Sequence, residues 1–394
     1  MSGLGLGLYL DRRRTEKQEA KWAADTKLSE LFDHYGQSPW IDNIRRDWLN
    51  DGTLAGLVEE GVRGVTSNPS IFQKTLATSS AYDEQLEGKK DIDPEVLFEE
   101  IAVRDVRDAC DVLAEVNTLS IAQFAGGARR YCDGFVSLEV SPRLARDTVA
   151  TVTAAKRLAA EVGRPNVMIK IPATKEGLPA ITEVLGAGIN VNVTLIFSLD
   201  RYNEVITAWM EGLELALTRR SDIASIASVA SFFLSRVDVL LDPQLPEGDA
   251  LRGQIANAQA AGAYELYLRR MASDRAQALL KAGAQVQRPL WASTSTKNPD
   301  YPDLLYVDTI VADETVNTMP DATMAAVLDH GDFKSSKLLN ETSTRELASA
   351  IDQLPADISL SAATEKLEID GVAAFVASYE DLLKTVAQKQ QGAK

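Results

Sequence analysis

Asn166-Val-Met-Ile-Lys170-Ile-Pro172 is the stretch that decides the fold. The run is short and apolar and ends in proline, which predicts a strand rather than a helix. Successive side chains of a strand point to opposite faces. Lys170 therefore shares a face with Met168, while Val167 and Ile169 take the other. Both faces are apolar except at Lys170. A strand of that kind is covered on both sides, as in parallel α/β sheets.

Seven further short runs rich in β-branched residues lie to either side: 39–44, 64–68, 134–140, 190–197, 226–233, 289–293 and 305–311. Helical patterns alternate with them. Asp93-Pro94 reads as an N-cap followed by proline at the first helical position, with Leu97, Ile101, Ala109, Cys110 and Leu113 as its buried face. Ser141-Pro142 repeats that start signal. Ser198 suits the cap of a helix through Tyr202, Val205, Trp209 and Leu213, and an Ala-rich helix fits 249–283. Strands alternating with helices predict parallel βαβ units. Eight units are the count of a (β/α)8 TIM barrel, an α/β fold. The competing doubly wound sheet would show G-x-G-x-x-G after a strand, and no strand is followed by it. Residues 344–354 and 371–390 read as extra helices, the second amphipathic. The expected organisation is an N-terminal extension over 1–35, helical from about Thr15, a barrel over 36–330, and C-terminal helices over 331–394 packed on the barrel.

Composition narrows the function. Of 394 residues, 45% are hydrophobic and 25% charged, which excludes a disordered or collagenous chain. No apolar run approaches the roughly 18 residues of a membrane span, and the Leu/Gly stretch at 4–10 is too short for a signal segment. Lys and Arg number 41 against 57 Asp and Glu, a net charge of −16. Such a surface repels nucleic acid and anionic lipid, so neither is an expected partner. The two cysteines, Cys110 and Cys132, make no disulfide framework. His34 and His330 lie far apart, so neither a zinc site nor a histidine triad is expected. These readings predict a cytoplasmic protein without a metal site; a monomer or homodimer is expected.

Polar residues near the C-terminal strand ends mark the face where barrel active sites lie. A buried lysine loses solvation of its ammonium, and a neutral amine is what a Schiff-base nucleophile needs. Lys170 suits that role; the alternative is a lysine held in an ion pair. Lys175, in the loop Thr174-Lys-Glu-Gly, reads as solvated. Glu139 in Phe135-Val-Ser-Leu-Glu139-Val140 is either a general acid/base or the charge partner of Lys170. Asp42 in Trp40-Ile-Asp42-Asn43 is a second base or a helix N-cap. Asn68 ends the second strand before Pro69, a turn signal. Asn190, Asn192 and Thr194 line one face of the fifth strand, with Val191, Val193 and Leu195 opposite. In Ser231-Phe-Phe233-Leu-Ser235-Arg236, Arg236 offers a fork for phosphate or a partner for Asp238. Ser293-Thr-Ser-Thr-Lys297 is a hydroxyl-rich loop ending in a cation.

Six segments in this order resemble the transaldolase family: Trp40-Ile-Asp-Asn, Gly64-Val-Thr-Ser-Asn-Pro-Ser-Ile-Phe72, Val136-Ser-Leu-Glu-Val140, Val167-Met-Ile-Lys-Ile-Pro-Ala-Thr174, Asn190-Val-Asn-Val-Thr-Leu-Ile-Phe-Ser198 and Ala230-Ser-Phe-Phe-Leu-Ser-Arg236. The resemblance spans about residues 36 to 390. It implies a (β/α)8 barrel and transfer of a dihydroxyacetone unit between sugar phosphates in the pentose phosphate pathway, without cofactor. By that resemblance Lys170 forms the imine. Glu139 is the acid/base acting through a water that Thr194 helps to hold, and Asp42 takes the substrate hydroxyl proton. Asn68 and Asn192 are substrate-hydroxyl ligands, Phe233 is a substrate contact, and Ser231 and Arg236 bind phosphate. A second family arginine after the seventh strand is replaced here by Lys297. The alternatives are a fructose-6-phosphate aldolase-like lyase, in which a tyrosine takes the place of Glu139, and a non-catalytic scaffold that has lost some of these residues.

Overall fold

The computed structural model describes residues 25–219 and 222–392. The helix start expected at Thr15 lies outside them. Eight parallel strands close into a barrel in chain order: β1 (Gln37–Ile41), β2 (Gly64–Val65), β3 (Phe135–Glu139), β4 (Val167–Pro172), β5 (Asn190–Ile196), β6 (Ser228–Phe233), β7 (Arg288–Ala292) and β8 (Thr315–Met319). The closure is the parallel pair β1–β8, in register from Gln37 opposite Thr315 to Ile41 opposite Met319.

The eighth strand corrects the sequence reading. Leu305–Asp308 is a short helix, and the strand is Thr315–Met319. An apolar run reports burial, not conformation. Tyr306 and Val307 are buried as helix, while Asn317 of β8 donates to the Tyr306 carbonyl of that helix at 3.1 Å and the β8 threonines bond to residues of neighbouring segments. Gln37 Nε2 donates to Thr315 Oγ1 at 2.9 Å, and the Thr318 and Thr66 hydroxyls meet at 2.6 Å. The Ala-rich segment is likewise two helices, Ile255–Met271 and Asp274–Lys281, divided where Ser273 caps the second. Ser141-Pro142 opens only a 3₁₀ turn, and the helix after β3 begins at Thr148 with Asp147 as its cap.

A buried polar layer closes the N-terminal end of the barrel. Asp133 pairs with Arg63 at 3.1 Å and with Arg288 at 3.3 Å, and all three are shielded from solvent. It also accepts hydrogen bonds from Ser38 Oγ and from Trp40 Nε1. Burial alone would raise the Asp133 pKa, but Arg288, Arg63 and these donors outweigh it and hold the group below the usual range. Trp40 fills the adjoining space, and a Cβ on Gly64 would lie 2.3 Å from its ring. Glycine is therefore the residue that lets β2 pass the indole. The opposite end is crossed by the helix Leu360–Gly392, which buries Leu367, Gly371, Phe375, Tyr379, Leu382 and Val386 along one stripe. It packs on the helices Pro69–Thr78 and Pro94–Val112.

Candidate active site

Neighbouring strands bring the polar residues together through their register. Glu139 of β3 lies opposite Lys170 of β4, and Lys170 opposite Asn192 of β5. Lys170 Nζ stands 3.4 Å from Glu139 Oε2 and donates to the Ser67 carbonyl at 3.2 Å. It is 4% exposed. The 3.4 Å separation is an ion-pair contact without a formed hydrogen bond, and Glu139 Oε2 has no hydrogen-bond partner among the described residues. Burial pushes the Glu139 carboxyl up to about 7, with the Lys170 ammonium opposing the rise. A carboxyl that titrates near neutrality can give and take a proton.

Asp42 follows the end of β1 and accepts from Thr66 Oγ1 at 2.6 Å. Burial raises its pKa, and Lys170, the Thr66 bond and Lys297 pull it back. The cap of the helix that follows is Arg45, so Asp42 is not an N-cap. Asn68 does cap a helix: its side-chain oxygen accepts from Ile71 N at 3.1 Å at the start of Pro69–Thr78. Inside the barrel Asn192 Nδ2 donates to Ser137 Oγ at 3.0 Å, and Ser231 Oγ donates to Asn192 Oδ1 at 2.7 Å. Thr194 Oγ1 is buried without a partner among the described residues.

Arg236 opens the helix Ser235–Leu241 just past β6. Asp238 is not its partner, because that carboxylate accepts from Tyr306 Oη and Ala256 N, each at 2.8 Å. The Arg236 guanidinium instead lies 5.4 Å from the Phe233 ring and 5.9 Å from the Phe375 ring. Burial lowers its pKa, with Asp42 opposing. Lys297 is exposed and donates to Ser295 Oγ at 2.5 Å. Partial desolvation of its ammonium and the nearby Arg236 lower its pKa, with Asp42 opposing. Two cations with no carboxylate bonded to them among the described residues, beside a paired amine and carboxyl, can bind an anion next to a nucleophile.

Over residues 39–386 the chain matches the family model described as Transaldolase/Fructose-6-phosphate aldolase. The chain belongs to that family. Relatives named transaldolase include proteins of Frankia alni and Thermobifida fusca, each 48% identical over 371 residues. The match covers 92% of this chain and 97% and 98% of theirs. A protein of Nostoc sp. named Transaldolase 2 is 40% identical over 372 residues, covering 90% of this chain and 95% of its own.

Lys170, Glu139, Asp42, Asn192 and Thr194 gather at the C-terminal ends of the strands, and Phe233, Arg236 and Lys297 form the adjoining rim. Lys175 lies exposed, as its loop position predicts. Sequence reasoning missed Thr66 and the Ser67 carbonyl, which orient Asp42 and Lys170. It also missed Phe375, whose ring centroid is 5.8 Å from Lys170 Nζ. Thr66 and Ser67 precede Asn68 in the run expected as the second strand, just past the end of β2, and carried a legible signal. Phe375 is one apolar residue on an amphipathic helix, and nothing local distinguishes it.

Proposed function

We propose that the protein moves a dihydroxyacetone unit from sedoheptulose 7-phosphate to glyceraldehyde 3-phosphate, giving erythrose 4-phosphate and fructose 6-phosphate, through a Schiff base on Lys170. The observation that carries this reading is the buried Lys170 amine, 3.4 Å from the Glu139 carboxyl inside the barrel. Lys170 Nζ adds to the ketone carbon. Glu139 then protonates the departing hydroxyl so that water leaves and the protonated imine remains. Asp42 takes the proton of the hydroxyl carried by the far carbon of the bond to be cut. The carbon–carbon bond breaks, its electron pair passes into the imine, and the aldose phosphate leaves. The resulting enamine attacks the aldehyde of the second aldose phosphate, and the same steps run backward.

The Thr194 hydroxyl and Glu139 Oε2, neither hydrogen-bonded among the described residues, fit a site that holds a water between them. Arg236 takes the phosphate, with Lys297 as an outer cation. Asn192 and Asn68 take substrate hydroxyls. The test is incubation with fructose 6-phosphate and borohydride, followed by peptide mass spectrometry. One reduced three-carbon unit on Lys170 is expected. Label on Lys175, or none, overturns the assignment.

A further inference from the structure

We propose that Phe375 is a positioning residue that walls the reaction centre, so that the covalently held three-carbon unit meets an aldose before it meets water. The proposal rests on the imine chemistry of Lys170 given above. Phe375 comes from the helix Leu360–Gly392, outside all eight strands. Its ring lies 5.8 Å from Lys170 Nζ and 5.9 Å from Arg236 Cζ, spanning the amine and the cation of the rim. The side chain is 5% exposed, so it closes space rather than facing solvent.

The chain fixes this helix on both sides of Phe375. One turn earlier, a Cβ on Gly371 would lie 3.2 Å from Leu195 Cδ2 and 3.5 Å from the Phe197 ring. Residues four apart share a helix face, so the contact at Gly371 aims Phe375 into the barrel mouth. Leu195 has φ +59°, a conformation that a branched side chain adopts only under constraint. The β5–β6 register shifts there, between Val193 and Ile196. The expected alternation of β5 therefore ends at Thr194, and Leu195 meets the C-terminal helix instead. Arg201 holds Glu368 at 3.2 Å on one side. Tyr379 Oη donates to Glu95 at 2.9 Å on the other, and Lys389 Nζ to the Ser79 carbonyl at 2.7 Å.

Once the aldose has left, the three-carbon unit waits on Lys170. If its enamine is protonated on carbon, water can add its oxygen to the imine carbon. The carbon–nitrogen bond then breaks, the electron pair and a proton stay with the amine, and free dihydroxyacetone leaves. A ring packed over the nitrogen occupies the volume that such water needs. The same ring and Phe233 flank the Arg236 guanidinium, which has no hydrogen-bonded acceptor among the described residues. Phe375 thereby also sets where the phosphate is held.

The experiment compares the parent with Phe375→Ala, Phe375→Leu and Leu382→Ala. With fructose 6-phosphate alone, release of free dihydroxyacetone is measured; with an acceptor aldose added, transfer is measured. In Phe375→Ala the ratio of release to transfer should rise by about tenfold as water enters. KM for the phosphorylated donor should rise about two- to fivefold with the lost face on Arg236. Phe375→Leu refills most of the volume and should raise KM with less effect on the ratio. Leu382 is buried on the same helix, and its truncation should lower the melting temperature while the ratio stays at the parent value. Unchanged partition in Phe375→Ala, with Lys170 still trapped by borohydride, overturns the proposal. An equal change in Leu382→Ala overturns it too, since loosening the helix would then suffice. Failure to trap the parent on Lys170 would instead remove the imine reading beneath it.

Discussion

Removing the Arg236 guanidinium should cost far more than removing the Lys297 ammonium, and only with phosphorylated substrates. Arg236 is half-buried, flanked by Phe233 and Phe375 and bonded to no carboxylate among the described residues. Its fork is therefore held in place and available. A hydrogen bond to a charged group contributes about 1.5–3 kcal/mol. At about 1.4 kcal/mol per decade, Arg236→Ala should lower kcat/KM by about ten- to a hundredfold. Arg236→Lys keeps the charge but loses the planar fork, and should fall between parent and Ala variant. Lys297 is exposed and already donates to Ser295. Exposed charges contribute about 0–1 kcal/mol, so Lys297→Ala should cost no more than about fivefold. The assay is steady-state transfer with fructose 6-phosphate against free fructose as donor. All variants should handle free fructose as poorly as the parent does. If Arg236→Ala loses as much with free fructose as with the phosphorylated donor, Arg236 supports the barrel mouth rather than the phosphate. If Lys297→Ala matches Arg236→Ala, the ranking by burial is wrong.

Three further outcomes follow from the same geometry. Glu139→Gln should slow borohydride trapping at Lys170, whereas Asp42→Asn should still trap but stall before the aldose leaves; loss of trapping in Asp42→Asn would end that division of labour. Because the folded pKa of Glu139 is raised to about 7 and its acid form serves imine formation, the trapping rate should fall as pH rises through that value; a profile in Glu139→Gln that keeps the same inflection assigns it elsewhere. Asp133→Asn leaves the buried Arg63 and Arg288 without their carboxylate and should destabilise the fold by about 3–5 kcal/mol, read as a lower denaturant midpoint. Since the folded pKa of Asp133 is depressed, its contribution should be present above the ordinary carboxylate range and lost as pH falls through the folded value.

The residues proposed to carry the chemistry were legible because each breaks a local rule. Lys170 interrupts an apolar strand, Glu139 does the same one strand earlier, and Arg236 follows a strand end on a short helix. A two-residue period places such residues on a face, and eight βαβ patterns place the face inside a barrel, before any coordinate is known. The period cannot say what a side chain finds there. Asn68 reads as a turn residue, with a ligand role implied only by resemblance, and only the Ile71 amide at 3.1 Å shows that its oxygen caps a helix. The eighth strand was misplaced because Leu305–Asp308 is as apolar as a strand, while β8 hides Thr315 and Thr318 in bonds to Gln37 and Thr66, and Asn317 in a bond to the Tyr306 carbonyl of that short helix. The end of the β5 alternation at Leu195 and the seating of Gly371 against it join positions 176 residues apart (371 − 195). Phe375 reaches Lys170 across a similar span. Periodicity is a property of neighbours along the chain, whereas those contacts arise only when the last helix crosses the mouth that the strands have built.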